Sequence, residues 1–536
     1  MSVQQPPTRG PLAFADARGC KEWLNALPLT NIPQAQMMVL ETLRALNGAE
    51  FDGMERLKCL ELKRDKIAFL QGEQRARYFG KTIPLSANDA NAWTNGRSLL
   101  EEMEAGYRRC REEAQAGKGE LARLGALLTQ RIVRYIGTQM LFHALVYRRF
   151  DPQLWTRLHQ EYVLGEGAQT LSETVKDSLE GEDGTSCVME AYAQVVLFQA
   201  AFLSQMTSPQ MDFAEAVLRL WVHGRVRVLD APAEGDTAKV DPLVVDLARD
   251  IGARPQPRPD LKEGQRIIET SVLSRSMRKR IQGLEKGEDA VALGLPQQAS
   301  ALDPMLELKR LHKLWCEGAP PRPPGKPSQL EKAGLVFGMA EIHFFASGGK
   351  VFEQPDKPRE LTQLEKQDIE VFGRITERTQ SRMTAEHNYT VEGWAVVDEM
   401  LGAVRVQRPQ TSSRGVAIGR LVAVRLGDTA PFFLGAMSEL VTETDGRIIA
   451  TISLFPGKPV PVAVRASDSR NRASAQWVQG FRLPALEKIN VPATLVVPSG
   501  MGTRGRGIHT WEEGVKESTI EEIVDHGSDF DRITIF

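Results

Sequence analysis

Cysteine is sparse and scattered in this chain. The 536 residues hold five, Cys20, Cys59, Cys110, Cys187 and Cys316, an odd number with no CxxC pair. That excludes a disulfide framework and fits a reducing compartment. The eight histidines form no HxxxH, no HExxH and no Cys/His cluster, so a zinc-site signature is missing. There is no GxSxG elbow, and GMGTRGRG at 500–507 lacks the GxxxxGK[ST] spacing of a phosphate loop. That glycine-rich stretch reads as a mobile hairpin between strands, with an accessory anion contact as the other option. Long apolar runs are lacking too. The most apolar window, MEAYAQVVLFQAAFLSQM at 189–206, is interrupted by Glu190, Gln194, Gln199 and Gln205. A membrane helix needs about 20 apolar residues, so this window reads as a buried core helix. The opening MSVQQPPTRGPLAF has neither the charged nor the apolar region of a signal peptide. A cytoplasmic location and no membrane span are expected. The net charge of −2 excludes a nucleic-acid-binding polycation.

What is present divides into two compositions. Residues 1–16 read as a flexible leader and 17–225 as a helical domain. In the latter, Leu121, Leu124, Leu128, Ile132 and Tyr135 recur at three- and four-residue spacing, which puts them on one helix face. RVRVLDAP near 225–232 reads as a strand or extended connection. A second helical segment is expected over 226–350. It includes LKEGQRIIETSVLSRSMRKRIQGLEK, the stiff linker PPRPPGKP at 320–327, and an apolar helix across SQLEKAGLVFGMAEIHFFASGG. His143 and His343 sit in apolar helical contexts and read as core residues. From about 370 to 536, short runs such as WAVVDEM, RLVAVRL, RIIATISLF, PVPVAVR and RITIF alternate with turn residues. That pattern predicts an antiparallel barrel or sandwich. The expected class is α+β multidomain: a large helical region, then an antiparallel β-barrel.

Charge marks the second part. Residues 374–506 carry 15 Arg and 2 Lys against 11 acids, whereas 507–536 carry 8 acids against Lys516 and Arg532. Five arginines, Arg405, Arg408, Arg414, Arg420 and Arg425, follow one another with no acid between them. A guanidinium grips phosphate through a planar fork of donors and stacks on flat bases.

RITER places Arg374 and Arg378 four apart, with a second register at Arg378 and Arg382, and Asp398 follows on a predicted strand. This segment, with the strand order behind it, resembles the PilZ domain, a bacterial barrel family that binds cyclic di-GMP through RxxxR and (D/N)xSxxG motifs. The resemblance covers 370–536. It implies that Arg374 and Arg378 hold phosphate and guanine, that Asp398 accepts from a guanine edge, and that Arg382 and Arg405 are secondary contacts. Met400 and Ala403 stand where the family has Ser and Gly, while QTSSRG at 410–415 keeps Ser412 and Gly415 without the Asp. The implied function is a non-enzymatic signalling receptor. A segment around Arg374–Arg382 would close over the dinucleotide and relay its presence to a protein partner through the helical part. No metal or other cofactor is expected, and no specific nucleic-acid binding. The alternative is a scaffold of PilZ-like form that binds only proteins. A hydrolase in the helical region would instead show a pocket with convergent His and carboxylate groups.

Overall fold

The computed structural model describes residues 12–117, 119–180, 184–231, 243–256, 261–298, 302–318, 325–355, 363–373, 389–427, 430–467 and 476–536. It divides into two compact units, Met1–Arg322 and Pro323–Phe536. The break falls inside the Pro-rich linker, well before the change of composition near residue 370.

The first unit opens with α1 (Ala17–Asn25), α2 (Ile32–Gly48), α3 (Gly53–Arg75), α4 (Ala87–Gln115), α5 (Gly125–Ala144) and α6 (Gln153–Gly167). Starts are set by side chains that accept orphan backbone N–H groups: Asp16 from Gly19 at 2.7 Å, Asp52 from Glu55 at 3.0 Å, Ser86 from Asp89 at 3.2 Å. A short ladder of β1 (Val175–Lys176) and β2 (Thr185–Ser186) precedes α7 (Val188–Ala200) and α8 (Ser208–Trp221). α7 is the expected core helix, burying Tyr192, Val196 and Leu197.

The stretch read as helical beyond 226 also carries a small antiparallel sheet. Its strands are β3 (Arg227–Leu229), β4 (Leu243–Asp246), β5 (Arg254–Pro255) and β6 (Gln265–Glu269), in the order β3-β6-β4-β5. QRIIE is therefore a strand, not the start of a helix. Its paired Ile267 and Ile268 are buried between two neighbours, and β-branched residues suit that pleat. The helix starts after it, as α9 (Ser271–Glu285), followed by α10 (Pro304–Cys316). Trp315 is fully buried and donates its indole N–H to the Leu197 carbonyl at 2.7 Å, fixing α10 on α7.

The helical unit is pinned by a buried carboxylate. Asp177, just past β1, is fully excluded from solvent. It pairs with Arg64 of α3 and with Arg131 and Arg134 of α5, and accepts from Gln130 Nε2 at 2.8 Å. Burial alone would raise this carboxyl, but the guanidiniums of Arg134, Arg64 and Arg131 hold it well below the usual carboxylate range. Arg131 also forks onto Glu61 at 2.9 Å.

The second unit starts from β7 (Lys332–Phe337), where the sequence suggested one continuous apolar helix. Gly338, at φ +86°, breaks the chain there, and only then does α11 (Met339–Ala346) form. It ends on Gly348 and Gly349, the latter donating to the Phe344 carbonyl at 2.9 Å, the glycine stop expected of HFFASGG. α12 (Gln363–Phe372) follows. The remaining strands are β8 (Glu392–Met400), β9 (Ala403–Gln407), β10 (Leu421–Leu426), β11 (Phe433–Thr442), β12 (Ile448–Leu454), β13 (Val460–Ser467), β14 (Val478–Leu483), β15 (Thr494–Pro498), β16 (Gly507–Trp511), β17 (Val515–His526) and β18 (Phe530–Ile535).

The expected α+β order holds, and the strands make two closed six-stranded antiparallel barrels. One runs β10-β11-β12-β9-β8-β7, the other β13-β14-β15-β18-β17-β16. β7 closes the first by pairing with both β8 and β10. Closure removes unpaired edges. Val336, Leu421, Phe455, Phe481, Val496 and Phe530 form one core cluster drawn from both barrels, with Ile342 of α11 packed into it.

Replacing Asp177 by Ala strands three cations in the helical interior. It is expected to cost about 3–5 kcal/mol, the range for breaking a buried ion pair from one side. Urea unfolding followed at the helical circular-dichroism band measures it; an unchanged midpoint would show that the network contributes nothing.

Candidate functional site

Three of the arginines singled out in the sequence, Arg374, Arg378 and Arg382, lie outside the described residues. The other two candidates meet across a hairpin. β8 and β9 are joined at Leu401-Gly402, with Gly402 at φ +71° and Leu401 fully exposed at the tip. A register shift between Val396 and Asp398 sets Asp398 opposite Arg405, and Arg405 Nη1 donates to Asp398 Oδ2 at 2.8 Å. The other oxygen, Asp398 Oδ1, is buried with no hydrogen-bond partner among the described residues. Gly325 covers it so closely that an added Cβ would stand 2.1 Å away. The next residue, Lys326, exchanges two backbone hydrogen bonds with Glu399 at 2.8 and 2.9 Å, and Ser328 Oγ donates to the Glu399 carboxylate. The end of the Pro-rich linker is thus strapped along the strand that carries Asp398. Met400 and Ala403 are a Cα pair closing the hairpin, with no hydroxyl to offer.

The acid-free arginine run finds its acceptors far away in sequence. Arg408 is buried on the carbonyls of Ser412 and Arg414. Arg414 forks onto Glu341 of α11 at 2.9 and 3.2 Å and reaches Glu392 of β8. Arg420 donates to the Gly415 carbonyl at 3.0 Å and pairs with Asp529 at 3.6 Å. Arg425 lies over the Phe432 ring at 5.1 Å. Within QTSSRG, Ser412 donates to Glu392 at 2.9 Å, so this stretch is part of the same internal web. Trp394 is fully buried beside Phe337 and belongs to the core.

GMGTRGRG is not a hairpin, because the strands it joins, β15 and β16, are not neighbours. Its Gly500 and Gly502 N–H groups donate to Asp531 Oδ2 at 2.8 and 2.9 Å, and His526 holds the other oxygen at 2.5 Å. The anion this loop holds is one of the protein's own carboxylates.

The helical unit holds features with no local sequence signal. A cavity of about 430 Å³ lies between α3, α5, α7 and α8, lined in part by Gln71, Gly72, Arg75, Arg134, Glu180 and Gln194. Its size suits a small ligand. Arg75 is paired with Asp212 at 2.6 Å and Glu215 at 3.2 Å, and Arg134 with Asp177 and Glu180, so the lining alternates donors and acceptors. At its edge, His223 bridges Glu190 at 3.0 Å and Glu180 at 3.2 Å. Hydrogen bonds to Glu180 and Glu190 raise the imidazole to about 9, against burial.

His143 and His343 are buried and lowered to about 4 by desolvation, neutral core rings as the sequence suggested. A hydroxyl–imidazole–carboxylate chain does occur. Ser274 Oγ is 2.9 Å from His312 Nε2, and His312 Nδ1 is 3.2 Å from Glu317. Ser274 is fully buried, however, and Arg278 donates to its oxygen from Nε and Nη2 at 3.1 and 2.8 Å. A guanidinium there opposes formation of an imidazolium and occupies the nucleophile's lone pairs, so the chain joins α9 to α10 without serving as a catalytic triad. Among the described residues no group of three or more His, Cys, Asp or Glu is placed to hold a metal ion, and no helix is long and apolar enough to cross a membrane.

Residues 18–231 match the family model described as "Cyclic-di-GMP receptor FimW, N-terminal domain". The match covers less than half of the chain, and the helical cavity lies inside it. Neither the curated proteins nor the solved structures give a match.

The His223 bridge sets a pH dependence. A raised folded-state value means that its stabilisation is complete below about 6.5 and is lost as pH rises through about 9. The stability difference between the protein and its His223→Gln variant, read from urea midpoints, is expected to be largest near pH 6 and to shrink towards pH 10. A constant difference would show that the charged imidazole is not what holds Glu180 and Glu190.

Proposed function

We propose that this chain is a non-catalytic cytoplasmic bacterial receptor for a cyclic dinucleotide, cyclic di-GMP. The observation that carries this reading is the match of residues 18–231 to a family model named for a cyclic di-GMP receptor. It falls on the helical unit and is independent of the motif resemblance near the other end. Two unrelated segments therefore point to one ligand.

The reading places the ligand on the PilZ-like first barrel. Arg374 and Arg378 take the phosphates and a guanine, Arg382 assists, and Asp398 with Arg405 forms the wall. A carboxylate can accept from the N1–H and N2–H of guanine, and Asp398 Oδ1 is an acceptor without a donor among the described residues. In the described arrangement Gly325 covers that oxygen. The ligand would take the place of the Gly325–Ser328 strap, and release of the strap would change the tether between the two units. A ligand that binds the unstrapped arrangement better shifts the population towards it. An unidentified protein partner would read that change through the helical part.

A second reading rests on the Arg405–Asp398 pair and on Met400 and Ala403. With the wall satisfied internally and its hydroxyl missing, the barrel would be a scaffold that binds proteins only.

Calorimetric titration of the full chain with cyclic di-GMP separates these readings. Binding is expected, weakened about 10- to 100-fold by Arg374→Ala or Arg378→Ala, which corresponds to about 1.5–3 kcal/mol per charged contact. Gly72→Phe is the control: Gly72 lines the helical cavity, and a Cβ there meets nothing within 4 Å. It is expected to leave binding unchanged. Loss with Gly72→Phe and none with Arg374→Ala would move the ligand into the helical cavity, and no heat with the unaltered chain would leave the scaffold.

A further inference from the structure

The scarce cysteines include two that meet. Cys20 on α1 and Cys59 on α3 are both fully buried, and Cys20 Sγ lies 4.0 Å from the Cys59 carbonyl oxygen. One turn after Cys59, on the same face of α3, stands Lys63, also fully buried. Its Nζ sits over the Trp23 ring at 4.5 Å and the Phe14 ring at 4.9 Å and finds no hydrogen-bond partner among the described residues. A lysine so enclosed is costly unless it is neutral or has an anion beside it. The groups that face it are the two rings and the two thiols. The hydrogen bond from Cys59, and then the charge of Lys63, lower Cys20 against the effect of burial. Hydrogen bonding with Cys20, and then burial, raise Cys59. Burial lowers Lys63, and Cys20 and Cys59 oppose that. One sulfur is thus favoured as thiolate while its neighbour stays a thiol. That division of roles, an attacking sulfur and a resolving one, marks oxidation-sensitive pairs.

We propose that Cys20 and Cys59 are a hydroperoxide-sensitive pair that closes to a disulfide linking α1 to α3, with Lys63 as the positioning and proton-carrying residue. The Cys20 thiolate attacks one peroxide oxygen: an S–O bond forms, the O–O bond breaks, and the leaving hydroxide takes a proton from the Lys63 ammonium. Cys20 is now a sulfenic acid, the peroxide reduced to water. The Lys63 amine then removes the Cys59 proton. The Cys59 sulfur attacks Cys20, an S–S bond forms, the S–O bond breaks, and the leaving hydroxide departs as water with the proton from Lys63. Two thiols and one hydrogen peroxide yield one disulfide and two waters. Entry requires only that α1, a nine-residue helix, opens locally. A bond formed this way in a reducing compartment is transient, as redox-sensing disulfides there are. Cys110, Cys187 and Cys316 are buried without such a partner, and burial raises all three thiols.

The test is peroxide treatment of the reduced full-length protein under native conditions, followed by alkylation in denaturant and mass spectrometry. A 2 Da loss is expected, mapped to a Cys20–Cys59 cross-linked peptide, with the other three cysteines alkylated in full. Cys59→Ser is expected to leave Cys20 as a sulfenic acid that a dimedone probe traps, and Cys20→Ser to abolish the cross-link. Lys63→Met is expected to slow cross-linking at least tenfold while circular dichroism stays unchanged; should that variant unfold, Lys63→Gln replaces it. Uniform oxidation of all five cysteines, oxidation only above the urea unfolding midpoint, a Cys20–Lys63 adduct in place of the disulfide, or an unchanged rate in the folded lysine variant would overturn the proposal.

Discussion

Guanidinium groups drawn partly out of water must find carboxylates or carbonyls, and each unit of this protein is held together internally by that demand. In the helical unit Asp177 collects Arg64, Arg131 and Arg134 from two long helices. In the barrel unit Glu341 of α11 receives Arg414 from the loop between β9 and β10. An ion pair partly shielded from water gains little over full hydration unless its geometry is good. What such pairs supply here is register: each holds a loop or a short ladder against an element distant in the chain.

The same demand explains what the sequence could reveal and what it could not. Helical spacing from Leu128 to Tyr135 and the β-branched runs after residue 390 reflect local periodicity, and they became α5 and the barrel strands, whereas Leu121 and Leu124 fall in a short 3-10 turn that precedes α5. KAGLVF and QRIIE read as helical because short apolar runs have no period of their own. Pairing on both sides made them strands, β7 between β8 and β10 and β6 between β3 and β4. The arginine run looked unpaired because no acid lies within it. Its partners are Glu341, Glu392 and Asp529, which only the folded chain brings near. Of the candidate ligand residues, the hairpin that unites Asp398 and Arg405 follows from the Leu401-Gly402 turn. The covering of Asp398 by Gly325 depends on a contact across the linker and had no local signature.

These contacts narrow where a ligand could act. The arginines from Arg405 to Arg420 are occupied by partners within the protein; in the proposed receptor the phosphate contacts therefore come from Arg374, Arg378 and Arg382. The strand carrying Asp398 is also the one to which the linker is strapped. In the proposed receptor the signal path would run in the covalent chain itself, since the residues a ligand would displace are those at the start of the second unit. The apparent Ser274–His312–Glu317 chain and the glycine loop around Asp531 show the reverse case. Each has the parts of a site, and each is filled by the protein's own side chains.

Hydrogen–deuterium exchange of the full chain with and without saturating cyclic di-GMP tests the central claim most directly. The account predicts slower exchange across 374–382 together with faster exchange at Lys326 and Glu399, whose backbone hydrogen bonds hold the strap. Identical exchange in both segments with and without the dinucleotide would contradict it.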